Sequence, residues 1–436
     1  IGNTFIFTTS REYIDADNAW KELNVKVYVS TDGINWSASN QINLRDAGDP
    51  TAGCYINNVF VHNNKFYVDC VAGAGHQPTI QCDLSGRRRT YEDSIILHPV
   101  YFVGTWNAIG SDSNYGQNPD APKLTLNNIL ISNRICAGAR VKISSGNFSE
   151  INMYPIWSAA TLQGRGSVVI EGRGKDNTHI IRSSGSGNTY GIYLEAARTL
   201  TSTTVPLIFK DLEFYISVDG VANHFNYVLQ NVDSYIKTVN CKIGGLLNDD
   251  SPLINLGVNT KFEAINSYFT HCLADSVYKN IYTHNNGCTI IFKNCILLNA
   301  NNPLSSNRTG ELLTVLNCTF SNIKSWGISF GAAYNTQPVI KNNIFLCENG
   351  CISDISGQVE TGIDYNLYNK ANSNITDGGH SLAVGTDPLF VDAENGDFNL
   401  KSNSPCRRKG VYISTLLYDI VNRNRRNPPA IGAYDR

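Results

Sequence analysis

Apolar and polar positions alternate in short runs along most of this chain, and between Pro206 and Tyr368 the runs repeat. Set in line on one polar residue, six segments stack: LIFKDLEF, IKTVNCKI, FEAINSYF, IIFKNCIL, LTVLNCTF and PVIKNNIF. The shared position is Asp211, Asn240, Asn266, Asn294, Asn317 and Asn342, at spacings of 29, 26, 28, 23 and 25 residues. A looser copy, GIDYNLY, places Tyr365 there, 23 residues further on. Two positions earlier stand Phe209, Thr238, Ala264, Phe292, Val315 and Ile340; three positions later stand Phe214, Ile243, Phe269, Leu297, Phe320 and Phe345. One position later the residues are mostly small: Leu212, Cys241, Ser267, Cys295, Cys318 and Asn343. Residues two apart on a strand share a face, so these columns predict the inner walls of stacked strands. The polar residue marks the bend between two of them. Self-similarity at such a period is the mark of a solenoid, and each unit has room for about three short strands. A run of unrelated hairpins would need two-residue turn dipeptides, which are scarce here.

The first hundred residues follow another pattern. Phe5 to Thr8, Val25 to Ser30, Tyr55 to His62 and Lys65 to Val71 read as consecutive antiparallel strands, the last two joined by a turn at Asn63-Asn64. Further on, Leu126, Ile129 and Leu130 fall at helical spacing within Leu124 to Asn133. Val141-Lys142-Ile143 with Gly146-Asn147-Phe148 then predicts a first coil, and Val168 to Gly172 with His179-Ile180-Ile181 the next.

A repeat of this length with Asn at the bend resembles the right-handed parallel β-helix. The order GSDSNYG, then Pro122, Leu126, a helix and VKISSGNF resembles the opening of pectate-lyase-like β-helix proteins. DPLFVD, GDFNL, Ser404-Pro405 and IGAY resemble the closing pattern of the same superfamily, although Cys406-Arg407-Arg408-Lys409 replaces its usual small or acidic residues. The segment Ser30-Thr31-Asp32-Gly33-Ile34-Asn35-Trp36 resembles the Asp-box turn of sialidase-like propellers, a fold marker in which Ser and Asp cap the turn. The expected fold is therefore all-β: a right-handed, single-stranded parallel β-helix preceded by a small antiparallel, propeller-blade-like segment. The implied divisions are 1–98 for the antiparallel segment, 99–165 for junction, capping helix and first coil, 166–385 for the coils, and 386–436 for a C-terminal coil and cap. A helix at the start would cover the open end of the solenoid core.

Composition narrows the partners. The 436 residues are 42% hydrophobic but only 17% charged, with a formal net charge of −2. No global basic field points to nucleic acid, and no apolar run is long enough to insert into a membrane. The twelve cysteines do not form a disulfide framework by spacing. Cys241, Cys295 and Cys318 fall in the small interior column, Cys295 and Cys318 are the pair in directly adjacent coils, and Cys347 with Cys351 could clip a loop. No zinc spacing is present, so no metal ligand is assigned. Of five N-x-S/T triplets, Asn317 belongs to the bend column, where a glycan has no place.

Proteins resembling this chain act mostly on polysaccharides, as lyases, hydrolases or phage tailspikes. Stacked strands present side chains at steps of about 4.8 Å, and Tyr, Asn and Asp suit sugar faces and hydroxyls. The resemblance implies that the strand between the aligned copies floors a groove. Three neighbouring coils bring Asp249, Asp250, His271 and Lys279 there as candidate catalytic groups, with Tyr227, Tyr278, Tyr282 and His284 as candidate sugar contacts. A lyase needs a base such as Lys, Arg, Tyr or His and a cation, Ca²⁺ included, to neutralise a uronate. A glycosidase needs two carboxylates. Each candidate has a plainer account. Asp249 and Asp250 follow Asn248 in a turn that carboxylates cap, and His271 lies two residues past Phe269, where it can bond backbone. Lys279 alternates with Val277 and Ile281, so it snorkels from an inward position or marks a different register.

The expected function is glycan recognition of the tailspike type, at a virion or extracellular surface, with a homotrimer expected if one face carries an apolar stripe. The alternatives are a secreted bacterial polysaccharide lyase or glycoside hydrolase, and a structural adhesin without turnover. The residues leave turnover open, and they do not name the sugar.

Overall fold

The structure is a computed structural model. It describes residues 5–14, 20–30, 32, 34–35, 37–43, 54–62, 65–72, 75–76, 80–82, 100–114, 116, 119–131, 139–149, 167–183, 189–194, 206–217, 226–231, 235–246, 253–272, 282–284, 286–307, 309–331, 333–355 and 362–435. From Val100 onward three parallel sheets run side by side. A ten-stranded first sheet extends from Val100–Val103 through Leu207–Lys210 and Lys261–Ile265 to Ile363–Asp364. A nine-stranded second sheet extends from Gly146–Ser149 through Glu213–Ser217 and Tyr268–Cys272 to Leu367–Tyr368. A seven-stranded third sheet extends from Thr189–Leu194 through Tyr282–His284 to Gly350–Asp354. Each coil contributes in turn to the first, second and third sheet, which is the parallel β-helix that the repeat predicts.

The bend is where the repeat places it. Asp211, Asn240, Asn266, Asn294, Asn317, Asn342 and Tyr365 all have φ between 52° and 60°. This left-handed conformation costs most L-residues about 1–2 kcal/mol, and Asn and Asp adopt it more readily than other non-glycine residues. One such residue turns the chain from the first sheet into the second without losing the ladder. The Asn266 N–H donates to the Lys293 carbonyl at 3.0 Å, and the Tyr268 N–H to the Cys241 carbonyl at 2.8 Å. Side-chain amides link neighbouring bends: Asn240 Nδ2 donates to Asp211 Oδ1 at 2.6 Å, Asn294 to Asn266 at 3.1 Å, and Asn342 to Asn317 at 3.2 Å.

The interior follows the predicted columns. Phe214, Ile243, Phe269, Leu297, Phe320 and Phe345 are in register from strand to strand and all buried. Phe320 and Phe345 stack at 4.5 Å between ring centroids, and Tyr368 extends the stack. Polar members of the small column are satisfied within the wall. Asn343 Oδ1 accepts the Cys318 N–H at 2.8 Å, and Asn366 Oδ1 accepts the Asn343 N–H at 2.8 Å. At the N-terminal end, the helix Leu126–Ile131 starts at Thr125, whose Oγ1 accepts the Asn128 N–H, and it buries Leu126 and Ile129 in the core.

Residues 386–435 lie against the outside of the second sheet. Ile296, Ile344 and Leu367 face outward and are covered by Phe390, Phe398, Ile420, Ile431 and Tyr434. Arg425 fastens this segment to the bend: its Nη2 donates to Asn294 Oδ1 at 2.9 Å and to the Ala433 carbonyl at 2.9 Å. Asn342 both donates to the Val411 carbonyl and accepts the Val411 N–H, each at 2.8 Å. Asn317 is 1% exposed, as a member of the internal column must be. Among the described residues of the coils, Cys241, Cys288, Cys295, Cys318, Cys347 and Cys351 are buried free thiols.

The N-terminal segment forms antiparallel ribbons. Phe5–Ile14, Trp20–Ser30 and Ser37–Asn43 make one sheet; Cys54–His62 and Lys65–Ala72 pair in a second, joined across Asn63-Asn64. In the turn after Ser30, Asp32 Oδ1 accepts the N–H groups of Ile34 and Asn35 and the Ser30 hydroxyl, each at 2.8 Å. Those bonds hold the Asp32 carboxyl well below the usual carboxylate range.

The outer face of the first sheet carries an ion cluster. Glu263 accepts from Tyr235 at 2.6 Å and Lys293 at 2.8 Å, with Lys237 at 3.2 Å, while Lys261 lies 4.2 Å over the Tyr235 ring. Burial alone would raise the Glu263 pKa, but the bonds from Lys293 and Tyr235 and the charge of Lys237 outweigh it and bring it to about 2.

Two stability predictions follow from the bend and this cluster. Asn266→Val is expected to cost about 1–2 kcal/mol more than Asn266→Gly in denaturant unfolding, because only glycine is free of the left-handed penalty. Equal costs would deny the bend its role. The Glu263 pKa is depressed on folding, so its contribution is full above the unfolded carboxylate value of 4.5 and falls away as pH drops toward about 2. Stability is expected to fall by on the order of 2–3 kcal/mol across that window, and Glu263→Gln should remove that part of the slope. An unchanged slope in the variant would refute the assignment.

Candidate functional site

On the second sheet, the residue two places after the bend faces outward. Through the register the same position runs Asn147, His179, Glu213, Lys242, Tyr268, Ile296, Thr319, Ile344 and Leu367. The column changes character partway along. From Ile296 onward it is buried, beneath the C-terminal segment. From Asn147 to Lys242 it is polar, while Ile180, Phe214 and Ile243 beside these residues point into the core. Tyr268 marks the border, its hydroxyl 2.9 Å from that of Tyr434 in the C-terminal segment.

The exposed part of the column is a connected set of chemical groups. His179 Nδ1 lies 2.5 Å from Glu213 Oε2, and Lys242 Nζ lies 2.8 Å from Glu213 Oε1. The side chains of His179, Glu213 and Lys242 are 26%, 13% and 41% exposed, so Glu213 is the sheltered centre and its two partners reach solvent. A carboxylate against one ring nitrogen fixes the imidazole orientation and leaves the other nitrogen to act outward. Lys175 sits 5.3 Å over the Tyr268 ring, and burial and the Tyr434 hydroxyl push the Tyr268 pKa up. Arg173 stacks 4.4 Å over Trp106, whose indole N–H donates to the Val103 carbonyl. At steps of about 4.8 Å, the column from Asn147 to Tyr268 spans about 19 Å. Chemically this strip offers a positioned imidazole, a fixed cation, and aromatic and amide side chains at regular intervals.

The candidates read from sequence occupy other places. Asp249, Asp250, Tyr278 and Lys279 lie outside the described residues. His271 is on the second-sheet strand Tyr268–Cys272, in register with Gly245. Tyr227, Tyr282 and His284 are on the third sheet, in the strands Asn226–Asn231 and Tyr282–His284. There Tyr282 pairs with Ile254 and Leu304, and His284 with Leu256; these partners are buried. The structure therefore places His271 on one sheet and Tyr227, Tyr282 and His284 on another. On the third sheet Ser305, Ser329 and Ser353 stand in register.

His179, Glu213 and Lys242 were missed by reading inward. The repeat alignment draws attention to the apolar columns, whereas the outward column holds a different residue in every coil and shows no conservation of type. Its signal was the position itself: two residues after each bend, ionisable in three successive coils and apolar in most of those that follow. Among the described residues, no group of three or more His, Cys, Asp or Glu gathers to hold a metal ion, and no helix is long and apolar enough to cross a membrane.

No protein-family model matches the chain, and no curated protein matches it. Among solved structures, a similar chain is a variant catalytic domain of a GH87 alpha-1,3-glucanase in complex with tetrasaccharides, 11% identical with a TM-score of 0.25. The match covers 58% of this chain and 57% of that one, so the chain spans less than two thirds of it. At that overlap the likeness adds nothing to the fold, which rests on the strand register alone.

Proposed function

We propose that this β-helix protein recognises a polysaccharide laid along the outer face of the second sheet, in the manner of a tailspike at a virion or extracellular surface. One observation carries the reading: an outward column of Asn147, His179, Glu213, Lys242 and Tyr268, one residue per coil. A regular polymer is matched by a regular row of hydrogen-bonding and aromatic side chains on a rigid wall, because no ordering of loops is needed on binding. The C-terminal segment bounds the row at Tyr268 and gives it a finite length.

A second reading, turnover, is favoured by the His179–Glu213 contact. Two-carboxylate hydrolysis finds only Glu213 in the exposed column, and that carboxylate is engaged by both neighbours. Elimination from a uronate fits the groups better: His179 takes the C5 proton next to the carboxylate, Lys242 stabilises the charge that develops, and the C4–O4 bond breaks to leave a C4=C5 double bond while the departing oxygen takes a proton from water.

Both readings are tested with the full chain on a panel of polysaccharides. At least one polymer is expected to bind, and Lys242→Met and His179→Ala are each expected to weaken binding by about tenfold, roughly 1.4 kcal/mol. Binding that neither variant alters would remove the strip from consideration. Release of unsaturated sugar ends, abolished by His179→Ala, would establish elimination; binding without such release would leave recognition alone.

A further inference from the structure

At its N-terminal end the strip runs into a pocket. Gly146–Ser149 is the edge strand of the second sheet, and Asn147, in register with His179, forms part of the wall of a cavity of about 340 Å³. Two glycines, Gly104 and Gly146, are part of its lining. Gly104 has φ 91°, and a Cβ there would stand 2.3 Å from Ser144 Oγ and 2.7 Å from the Phe148 ring; Gly146 has φ 132°, with the same ring 4.0 Å from its Cβ position. The Phe148 ring thus lies between two glycines. Any side chain at 104 would fill the space that the ring occupies.

Among the described residues the lining has no ionisable side chain: Thr105, Thr125, Ser145, Asn147, Leu124 and Phe148 are its principal members. Asp112, nearby in the fold, is occupied, its carboxylate accepting the Leu124 and Thr125 N–H groups and the Thr125 hydroxyl. Thr105, Ser145 and Asn147 are exposed, and their side chains make no hydrogen bond among the described residues. Two hydroxyls and an amide therefore stand about an aromatic ring, with no counter-charge among the described residues of the lining. An anionic sugar entering this space would meet hydroxyl and amide donors but, among the described residues of the lining, no cation to offset the water its carboxylate sheds. An uncharged one would exchange water for hydroxyl and amide partners and lay an apolar face on Phe148.

We infer that this pocket takes a terminal, uncharged hexose, so that the protein reads the end of its glycan and the strip reads the residues behind it. The inference rests on the glycan reading above and deepens it. Among the described residues the second sheet ends at Gly146–Ser149, and its outward column from Ile296 onward is covered, so a short stretch next to a chain end fits better than the middle of a long polymer.

The test uses the full chain and calorimetric titration with pairs of tetrasaccharides, one ending in a neutral hexose and one in galacturonate. The neutral-ended member is expected to bind at least about tenfold tighter. Ser145→Trp, which fills the pocket from an exposed position, and Asn147→Ala are expected to weaken it by a similar factor. Circular dichroism of both variants should match the parent, since neither side chain is bonded to another described residue. Loss of binding in Lys242→Met but not in Ser145→Trp or Asn147→Ala would overturn the pocket and leave the strip. Equal binding of the galacturonate end, or binding of polymer with no tetrasaccharide bound, would also overturn it. Failure of every glycan to bind would remove both readings.

Discussion

One left-handed residue per coil governs this molecule. Because the turn takes a single residue, the first and second sheets meet at a tight corner, and side chains two before and three after the bend must share the same space. Phe209 and Phe214 meet edge to face at 5.1 Å across the Asp211 bend. Where one position of the pair is small, as at Ala264, Phe269 meets Phe262 of its own coil at 6.5 Å and Phe292 of the next coil at 5.3 Å. Asn pays little for the conformation, and its amide spans the step to the next bend, so the costliest backbone position is also a site of side-chain bonding between coils.

The same corner decides what faces outward. With Phe214 and its successors inward, alternation along the strand forces Glu213 and its successors out. The outward column then serves two ends. In the later coils it is apolar and receives the C-terminal segment, which is held by Arg425 against Asn294 and by Val411 against Asn342. In the earlier coils it carries His179, Glu213 and Lys242, close enough to form one hydrogen-bonded set. The change from one use to the other falls at Tyr268, and the hydroxyl contact with Tyr434 is its physical border.

That set depends on stacking and on nothing local. His179 and Glu213 are 34 residues apart in the chain, and their contact at 2.5 Å exists because two parallel strands place them side by side. Neither residue lies in a recognisable motif. The pocket beyond Asn147 has the same origin: Gly104, Ser145 and Phe148 meet where the first coil folds under the entry to the capping helix.

The sequence by itself determined the period, the bend residue and the inner columns, because a buried position in a repeating fold must be filled the same way in every coil and so leaves a visible pattern. It also determined the short helix at Leu126–Ile131 and the turn after Ser30, both of which are written in contiguous residues. It did not determine where residues 386–435 would lie, since the apolar outer patch that receives them resembles any other run of Ile, Thr and Leu. Nor did it gather His179, Glu213 and Lys242, because outward positions are free to vary from coil to coil and carry no period. Inner positions answer to packing, which repeats; outer positions answer to partners, and only the register of the folded coils brings those together.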